Sequence, residues 1–422
     1  MISSFFRRSE FVKNVVTLMT GTSIAQAIPI ALSPVLTRIY SPDDFGLFAL
    51  YSGIASILSV IATGRYELAI MLPEKEEDAA EIVKLSSLIS CLISLTVLLI
   101  ILIWGMEISV LLGNTGISNW LYLLPVSIFV AGLYQSLNYW FNRKKDFKRL
   151  AKNRVMQSSF TGLGQLPLGL LKVGGIGLLF GTLLGQMVTL VSLAKKTVKE
   201  DSNYFHRLEF NQLSKLASRY INFPKFDVPT TILNVGAVQA PNILFTTFFS
   251  ASYAGFYYLT HKVLQAPVTL ISTSVLDVFK EEASKAYRET GQAKLIFIKT
   301  FKWLLSISII PSIFLFLVID DLFVWVFGKD WQIAGDYAKI LLPALCLRFI
   351  ANPLSFMIYV AEKQIWNLLT MIGLACSVFL SFYLAEDHSG VIVNISITYV
   401  CYYIVHLILG ACFAGIFKVR KV

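Results

Sequence analysis

The sequence predicts an all-α integral membrane protein of about twelve transmembrane helices in two six-helix lobes. Three observations predict it. Hydrophobic residues make up 56% of the 422 positions and charged residues only 15%, whereas soluble domains hold roughly 45 to 50% and about 25%. The apolar residues gather into runs long enough to cross a bilayer at about twenty residues per crossing. Finally, the stretch Ser41-Pro-Asp-Asp-Phe-Gly-Leu-Phe-Ala-Leu50 returns in faded form as Ser250-Ala-Ser-Tyr-Ala-Gly-Phe-Tyr-Tyr-Leu259. Ser41 with Ser250, Gly46 with Gly255, Phe48 with Tyr257 and Leu50 with Leu259 keep register over half the chain.

The first apolar run opens like a signal peptide, with Arg7, Arg8 and Lys13 before it and Ala25-Gln-Ala27 as an apparent cleavage site. Cleavage is not expected. The run continues through Ile28 to Ile39 as one full crossing, and Thr17, Thr20 and Ser23 are too polar for a signal core. Apolar segments then fall near 15 to 38, 46 to 70, 83 to 104, 118 to 141, 153 to 171 and 175 to 194. The second set lies near 227 to 249, 255 to 279, 295 to 319, 338 to 360, 364 to 385 and 390 to 416. Residues 1–200 thus form an N-terminal lobe, 201–225 a linker and 226–422 a C-terminal lobe. A second echo supports duplication: Leu124-Pro125 precedes Lys145 as Leu342-Pro343 precedes Lys363. A repeat of half the chain is too long for a solenoid and suits a transporter of two like halves. Bends are expected at Pro29, Pro34, Pro167, Pro229, Pro241, Pro267, Pro311 and Pro353, where a bilayer tolerates them only if the freed carbonyls find partners.

The positive charges set the orientation. With the N-terminus cytoplasmic, 30 of the 36 Lys and Arg residues fall on that side. Arg38, Lys172, Lys329 and Lys339 fall outside, and Lys262 and Arg348 within segments. This asymmetry is the positive-inside rule, so both termini are expected in the cytoplasm. The net charge of +10 is then a topological signal, and no nucleic acid is expected as partner, because no stacking or base-reading module accompanies it. In the linker, Phe210, Leu213, Leu216, Ala217 and Tyr220 recur at helical spacing opposite Lys215 and Arg219, which predicts a short basic helix on the inner leaflet.

Most conspicuous motifs read as structure. Gly177, Gly181 and Gly185 have the small-residue spacing that lets helices approach closely. Gly174, Gly175 and Gly177 lack the Lys-Ser/Thr ending of a phosphate loop, so no nucleotide or other cofactor is expected. Glu74, Glu76, Glu77 and Asp78 suit the dipole-favoured first turn of the third helix. His206, His261, His388 and His406 are scattered, with no metal spacing and no paired carboxylates, so an enzyme is not expected. Cys91, Cys346, Cys376, Cys401 and Cys412 all lie in apolar segments as small hydrophobes, with no disulfide assigned.

Polar residues inside the segments are the candidates for function. Gln26, Gln135, Asn138, Asn234, Gln239, Asn242, Gln265 and Asn352 could bond helix to helix or line a hydrated path for sugar hydroxyls. Arg348 is expected about 15 Å into its helix at 1.5 Å per residue, near the bilayer midplane. An intramembrane Arg faces a cavity or a partner, and no acidic residue is expected at matching depth.

Several stretches carry a family resemblance: Leu36-Thr-Arg-Ile-Tyr-Ser-Pro-Asp-Asp-Phe-Gly-Leu-Phe48, Arg65-Tyr-Glu-Leu-Ala-Ile-Met-Leu-Pro73, Phe223-Pro-Lys-Phe-Asp227 and Leu341-Leu-Pro-Ala-Leu-Cys-Leu-Arg-Phe349. Over nearly the whole chain it resembles the polysaccharide biosynthesis (oligosaccharide flippase) family, the Wzx-like branch of the multidrug/oligosaccharidyl-lipid/polysaccharide exporter superfamily. The resemblance implies two lobes around a central cavity, a V-shaped alternating-access cycle, and transfer of undecaprenyl-diphosphate-linked repeat units across the inner membrane. O-antigen, capsule or exopolysaccharide would be the product, with a polysaccharide polymerase and a chain-length regulator as candidate partners. Arg348 and Lys262 are then expected to hold the diphosphate. Arg38, at the outer end of the first segment, is the one charge there, where the family usually carries more. Two other readings stay open. An ion-coupled drug or metabolite antiporter of the same superfamily would need a membrane-buried carboxylate, and Glu67 and Asp227 both fall at the cytoplasmic edge. A membrane polymerase or ligase would need a large outer loop, and the longest here runs from Asp320 to Asp336.

Overall fold

The computed structural model describes residues 2–205 and 209–417, with side chains from Val16 onward except at 270, 273 and 274. His206, Arg207, Lys418, Arg420, Lys421 and the side chains of Arg7, Arg8 and Lys13 lie outside this description. Among the described residues, all regular structure is helical. Six long helices precede the linker: α1 (Ile2–Ile39), α2 (Pro42–Ile61), α3 (Glu76–Leu111), α4 (Leu124–Arg143), α5 (Phe147–Leu170) and α6 (Ile176–Glu200). The linker forms α7 (Phe210–Arg219). Six more follow: α8 (Val228–Phe248), α9 (Ala251–Thr290), α10 (Lys294–Phe327), α11 (Gln332–Leu354), α12 (Gln364–Leu384) and α13 (His388–Phe413).

Eight spans pass a strict test of length and apolarity, nine when Thr115–Leu121 and α4, bent by 48°, count as one. Two long helices, α5 and α8, fall short through their polarity: α5 carries Asn153, Arg154 and Gln165, and α8 Asn234, Gln239 and Asn242.

By contacts, the chain divides into two compact units, 1–255 and 256–422. In the first, α3 packs on α4, α4 on α6 and α5 on α6. In the second, α10 packs on α11, α11 on α13 and α12 on α13. The same pairing order in both is what a duplicated six-helix unit requires. The copies differ at their first helix, for α1 packs on α5 whereas α8 packs on α2.

The Ser41 turn shows why a helix restarts there. Ser41 accepts from the Asp44 amide, and Asp44 returns a carboxylate oxygen to the Ser41 amide, a reciprocal capping box. Pro42 stands in the first turn, where its missing N–H costs nothing. Asp44 Oδ1 also accepts from the Gly175 amide at 2.5 Å, tying this turn to the start of α6.

In α1, Pro34 cannot bond the Ile30 carbonyl, and Ser33 Oγ donates to it at 2.6 Å. Pro29 likewise frees the Ala25 carbonyl, and Ser158 Oγ of α5 donates to it at 2.7 Å. α1 continues past Ala27 without interruption, as a full crossing requires. Pro229 departs from expectation: it lies in the first turn of α8 and interrupts nothing.

Three other expectations need correction. The segment expected over 46 to 70 stops at Ile61, because Gly64 and Arg65 take left-handed conformations at φ 59° and 63°. A 3-10 turn, Tyr66–Met71, follows, and it is too apolar for hydropathy to separate from the helix. Much of the linker stripe turns inward: Leu213, Leu216 and Tyr220 are buried against Tyr66, Ile82 and Val83, and Gln212 bonds Asp78 at 2.5 Å, while Phe210 stays exposed. The stretch expected as the longest outer loop, Asp320 to Asp336, is also mostly helix, since α10 ends at Phe327 and α11 begins at Gln332.

The glycine expectation holds. A Cβ on Gly164 would lie 2.7 Å from the Gly181 Cα, and one on Gly185 would lie 2.6 Å from the Gln157 carbonyl. Close contact of α5 and α6 depends on their absence. The acidic run also behaves as expected, with Glu76, Glu77 and Asp78 in the first turn of α3.

Candidate functional site

In the second unit, three helices converge on Arg348. α9 contributes His261, Leu264 and Gln265, α11 contributes Leu341, Ala344, Leu345 and Arg348, and α13 contributes Tyr399 and Tyr403. Each set recurs at helical spacing of three, four or seven, so each helix turns one face to the pocket. Arg348 lies further along its helix than expected, because α11 starts at Gln332; it stands just past the middle of the span Lys329–Val360.

The lining is apolar at its walls and polar at a few points. His261 bonds Gln265 one turn further along α9. Its ring stacks on Tyr257, with centroids 5.5 Å apart and planes at 23°. The Tyr257 and Tyr399 hydroxyls lie 3.5 Å apart. Tyr402 lies beside Tyr403, centroids 5.3 Å apart, and beside His406 at 4.3 Å. The Arg348 charge acts on Tyr257, Tyr399, Tyr402 and Tyr403. Among the described residues Arg348 forms no ion pair. A guanidinium with five donors among phenols and an amide can take an anion or the hydroxyls of a sugar, and flat aromatic faces can stack on a sugar ring.

Within the second unit, Lys262 and Asn352 do not line this pocket. Lys262, beside His261 in sequence, points elsewhere, with Nζ 5.5 Å from the Tyr258 ring centroid. Asn352 donates to Ser272 Oγ at 3.1 Å, a helix-to-helix bond. In the first unit, Asn242 Nδ2 donates to Gln239 Oε1 at 2.8 Å. Asn138 reaches the Tyr134 hydroxyl at 3.4 Å on its own helix. The buried oxygens Asn242 Oδ1 and Gln26 Oε1 have no hydrogen-bond partner among the described residues. Asn234 and Arg38 are exposed, Arg38 in the last turn of α1, where the helix dipole favours a cation.

The aromatic half of the pocket escaped the sequence reading. Its signal was present: Tyr399, Tyr402, Tyr403 and His406 fall at i, i+3, i+4 and i+7 of α13. His261 was passed over as one of four scattered histidines. His388 and His406 are accounted for by bonds to the Tyr337 hydroxyl at 3.0 Å and the Thr370 hydroxyl at 2.9 Å.

A second polar cluster lies in the first unit. Arg65 donates to Asp227 at 2.5 Å and to Glu67 at 3.2 Å, and Thr63 donates to Glu67. Glu67 is fully buried. Burial pushes its carboxyl above the usual range, opposed by the Thr63 hydroxyl and the Arg65 charge.

Comparison with known proteins agrees with the fold. The chain is similar to a structure described as the inward-facing conformation of a multidrug resistance MATE family transporter of the MOP superfamily, at 15% identity, 94% of each chain and a TM-score of 0.64. It is similar to an outward-facing structure of a transporter so described, at 14% identity, 97% of each chain and 0.63. A MOP superfamily transporter from Pyrococcus furiosus, whose description reads that the reverse polarity of its binding pocket suggests a different function, matches at 16%, 97% of each chain and 0.60. A comparison with curated proteins gives no match. The fold is therefore that of these multi-pass membrane transporters. The family model described as "Polysaccharide biosynthesis protein" matches residues 35–335, and the chain belongs to that polysaccharide biosynthesis family.

Proposed function

We propose that the protein is a flippase that moves undecaprenyl-diphosphate-linked oligosaccharide repeat units from the inner to the outer leaflet of the cytoplasmic membrane. The product would be O-antigen, capsule or exopolysaccharide, and a polymerase and a chain-length regulator would act next. Family membership supports the polysaccharide side of this reading. The observation that carries it is Arg348, an intramembrane guanidinium with no ion pair among the described residues, set among His261, Gln265, Tyr399 and Tyr403.

In this reading, Arg348 grips phosphate oxygens with two parallel N–H donors, a geometry that a lysine cannot reproduce. The tyrosine hydroxyls and the Gln265 amide meet further oxygens, and the ring faces meet the sugar. Lys262 lies outside this pocket and would act, if at all, at another point of the passage. Six helices on either side of the linker form the two lobes, 1–200 and 226–422, with 201–225 between them. Both termini are cytoplasmic.

The test is Arg348→Ala and Arg348→Lys, with membrane abundance measured beside surface glycan. The reading expects normal abundance, lost export for Ala and partial export for Lys. If Arg348 only locks α11 to its neighbours, abundance falls with export. Wild-type export by a well-expressed Arg348→Ala would rule out the site.

A second reading, an ion-coupled antiporter, is favoured by one observation. Glu67 is a fully buried carboxylate, standing in the turn between α2 and α3 rather than inside a span.

A further inference from the structure

The turn between α2 and α3 holds one guanidinium between two carboxylates. Arg65 bonds Asp227, just before α8, at 2.5 Å and Glu67 at 3.2 Å. The two acids differ in their access to water: the Asp227 side chain is 38% exposed, and Glu67 is 0% exposed. Arg65 itself takes a left-handed backbone at φ 63°, a strained conformation for a non-glycine residue.

With both acids ionised, the cluster carries one excess negative charge, part of it in a fully buried group. A buried carboxylate sharing its only counter-charge with a second acid relieves that excess by taking up a proton. Among the described residues Arg65 is the cation bonded to Glu67, and Lys225, two residues before Asp227, lies over the Phe226 ring. From α4, Tyr139 feels both acids and Arg65, whereas Arg143 is turned to Glu76 and to the Ile70 carbonyl. From α3, Glu76 is engaged by that same Arg143. From α7, Leu213, Leu216 and Tyr220 bring apolar side chains, and the Ala217 carbonyl accepts from the Tyr66 hydroxyl at 3.0 Å.

We infer that Glu67 is a proton-binding site whose occupancy decides which carboxylate holds Arg65, and through it how firmly the start of α8 is tied to the α2–α3 turn. A proton on Glu67 leaves a neutral acid hydrogen-bonded with Thr63 and gives Arg65 wholly to Asp227. Loss of the proton draws the guanidinium back toward Glu67 and loosens its hold on Asp227. The proton arrives from water on the side of Asp227, and no bond other than O–H is made or broken. The site does not depend on which passenger the protein carries, so it can fail while the glycan reading stands.

Infrared titration of the purified full-length chain in lipid nanodiscs reads the protonated carboxyl stretch directly. The expected result is a band that titrates above the range of an ordinary glutamate, shifts on 13C-glutamate labelling and is missing from Glu67→Gln. Asp227→Asn should lower its midpoint, because the rival acid is gone and Arg65 is free for Glu67. Arg65→Gln should raise it. A band that ignores 13C-glutamate, survives Glu67→Gln, or keeps its midpoint in both neighbour variants overturns the assignment. Asp227→Asn and Arg65→Gln read the midpoint without altering Glu67, so the test stands even if Glu67→Gln fails to fold.

Discussion

Ser252 Oγ donates to Asp43 Oδ1 at 2.6 Å across 209 positions, the offset that separates the two copies of the repeat. Ser252 is therefore the counterpart of the residue it bonds, as in a self-complementary contact between two identical surfaces. The two glycines of the motif meet in the same way. A Cβ on Gly46 would overlap the Ala251 carbonyl, and one on Gly255 would overlap the Pro42 carbonyl and lie 2.9 Å from the Gly46 nitrogen. Duplication has left each copy of the turn as the packing partner of the other.

Gly46→Leu and Gly255→Leu should therefore both lose most membrane protein, since the obstacle is backbone that cannot rotate away. The cost should reach or exceed the upper end of the roughly 1 to 3 kcal/mol typical of overpacking. Ser252→Ala removes only an exposed hydrogen bond and should leave abundance near wild type. Thermal unfolding in detergent, with abundance by immunoblot, separates the three.

Ser158→Ala should leave the Ala25 carbonyl, freed by Pro29, without its hydroxyl donor. The expected loss is about 0.6 kcal/mol, up to about 1.7, the range found for helix-to-helix bonds in membranes. Adding Pro29→Ala should recover much of the loss, because the Ala25 carbonyl regains a backbone donor. A double-mutant cycle on unfolding midpoints shows whether the two residues are coupled.

The buried Glu67 gives a pH dependence of fixed sign. Its folded pKa is raised, so the contribution of its protonated form is fully present below the unfolded value and is lost as pH rises through the folded value. The unfolding midpoint should thus fall over that window in the wild type. In Glu67→Gln, this component of the pH slope should vanish.

Orientation follows from the charge split. A phosphatase fused after Lys329 should be active outside the cytoplasm, and one fused after Arg149 should be inactive. The reverse pattern would remove the positive-inside argument and the side assigned to every loop.

The helices were legible because a bilayer sets their length and apolarity, and those are written residue by residue. The repeat was legible at Gly46 and Gly255 because backbone contact tolerates nothing larger. The 3-10 turn holding Glu67 was hidden, since Leu68, Ala69, Ile70 and Met71 are as apolar as a span and the break lies in the Gly64 and Arg65 dihedrals. The destination of the linker stripe was equally invisible, because amphipathicity gives a buried face and not what buries it. Arg348 was visible as a charge in an apolar run. Its aromatic partners were not, because an alternation of Tyr and His on α13 looks like core until α9 and α11 are placed beside it.

The most direct measurement of the central claim is the fate of the lipid-linked glycan in cells that lack the protein. Deletion should abolish the surface polysaccharide and make undecaprenyl-diphosphate-linked repeat units accumulate on the inner leaflet. The wild-type gene should reverse both effects, and a normally abundant Arg348→Ala should reverse neither. Unchanged surface glycan with no accumulated lipid-linked intermediate in the deletion strain would contradict the account.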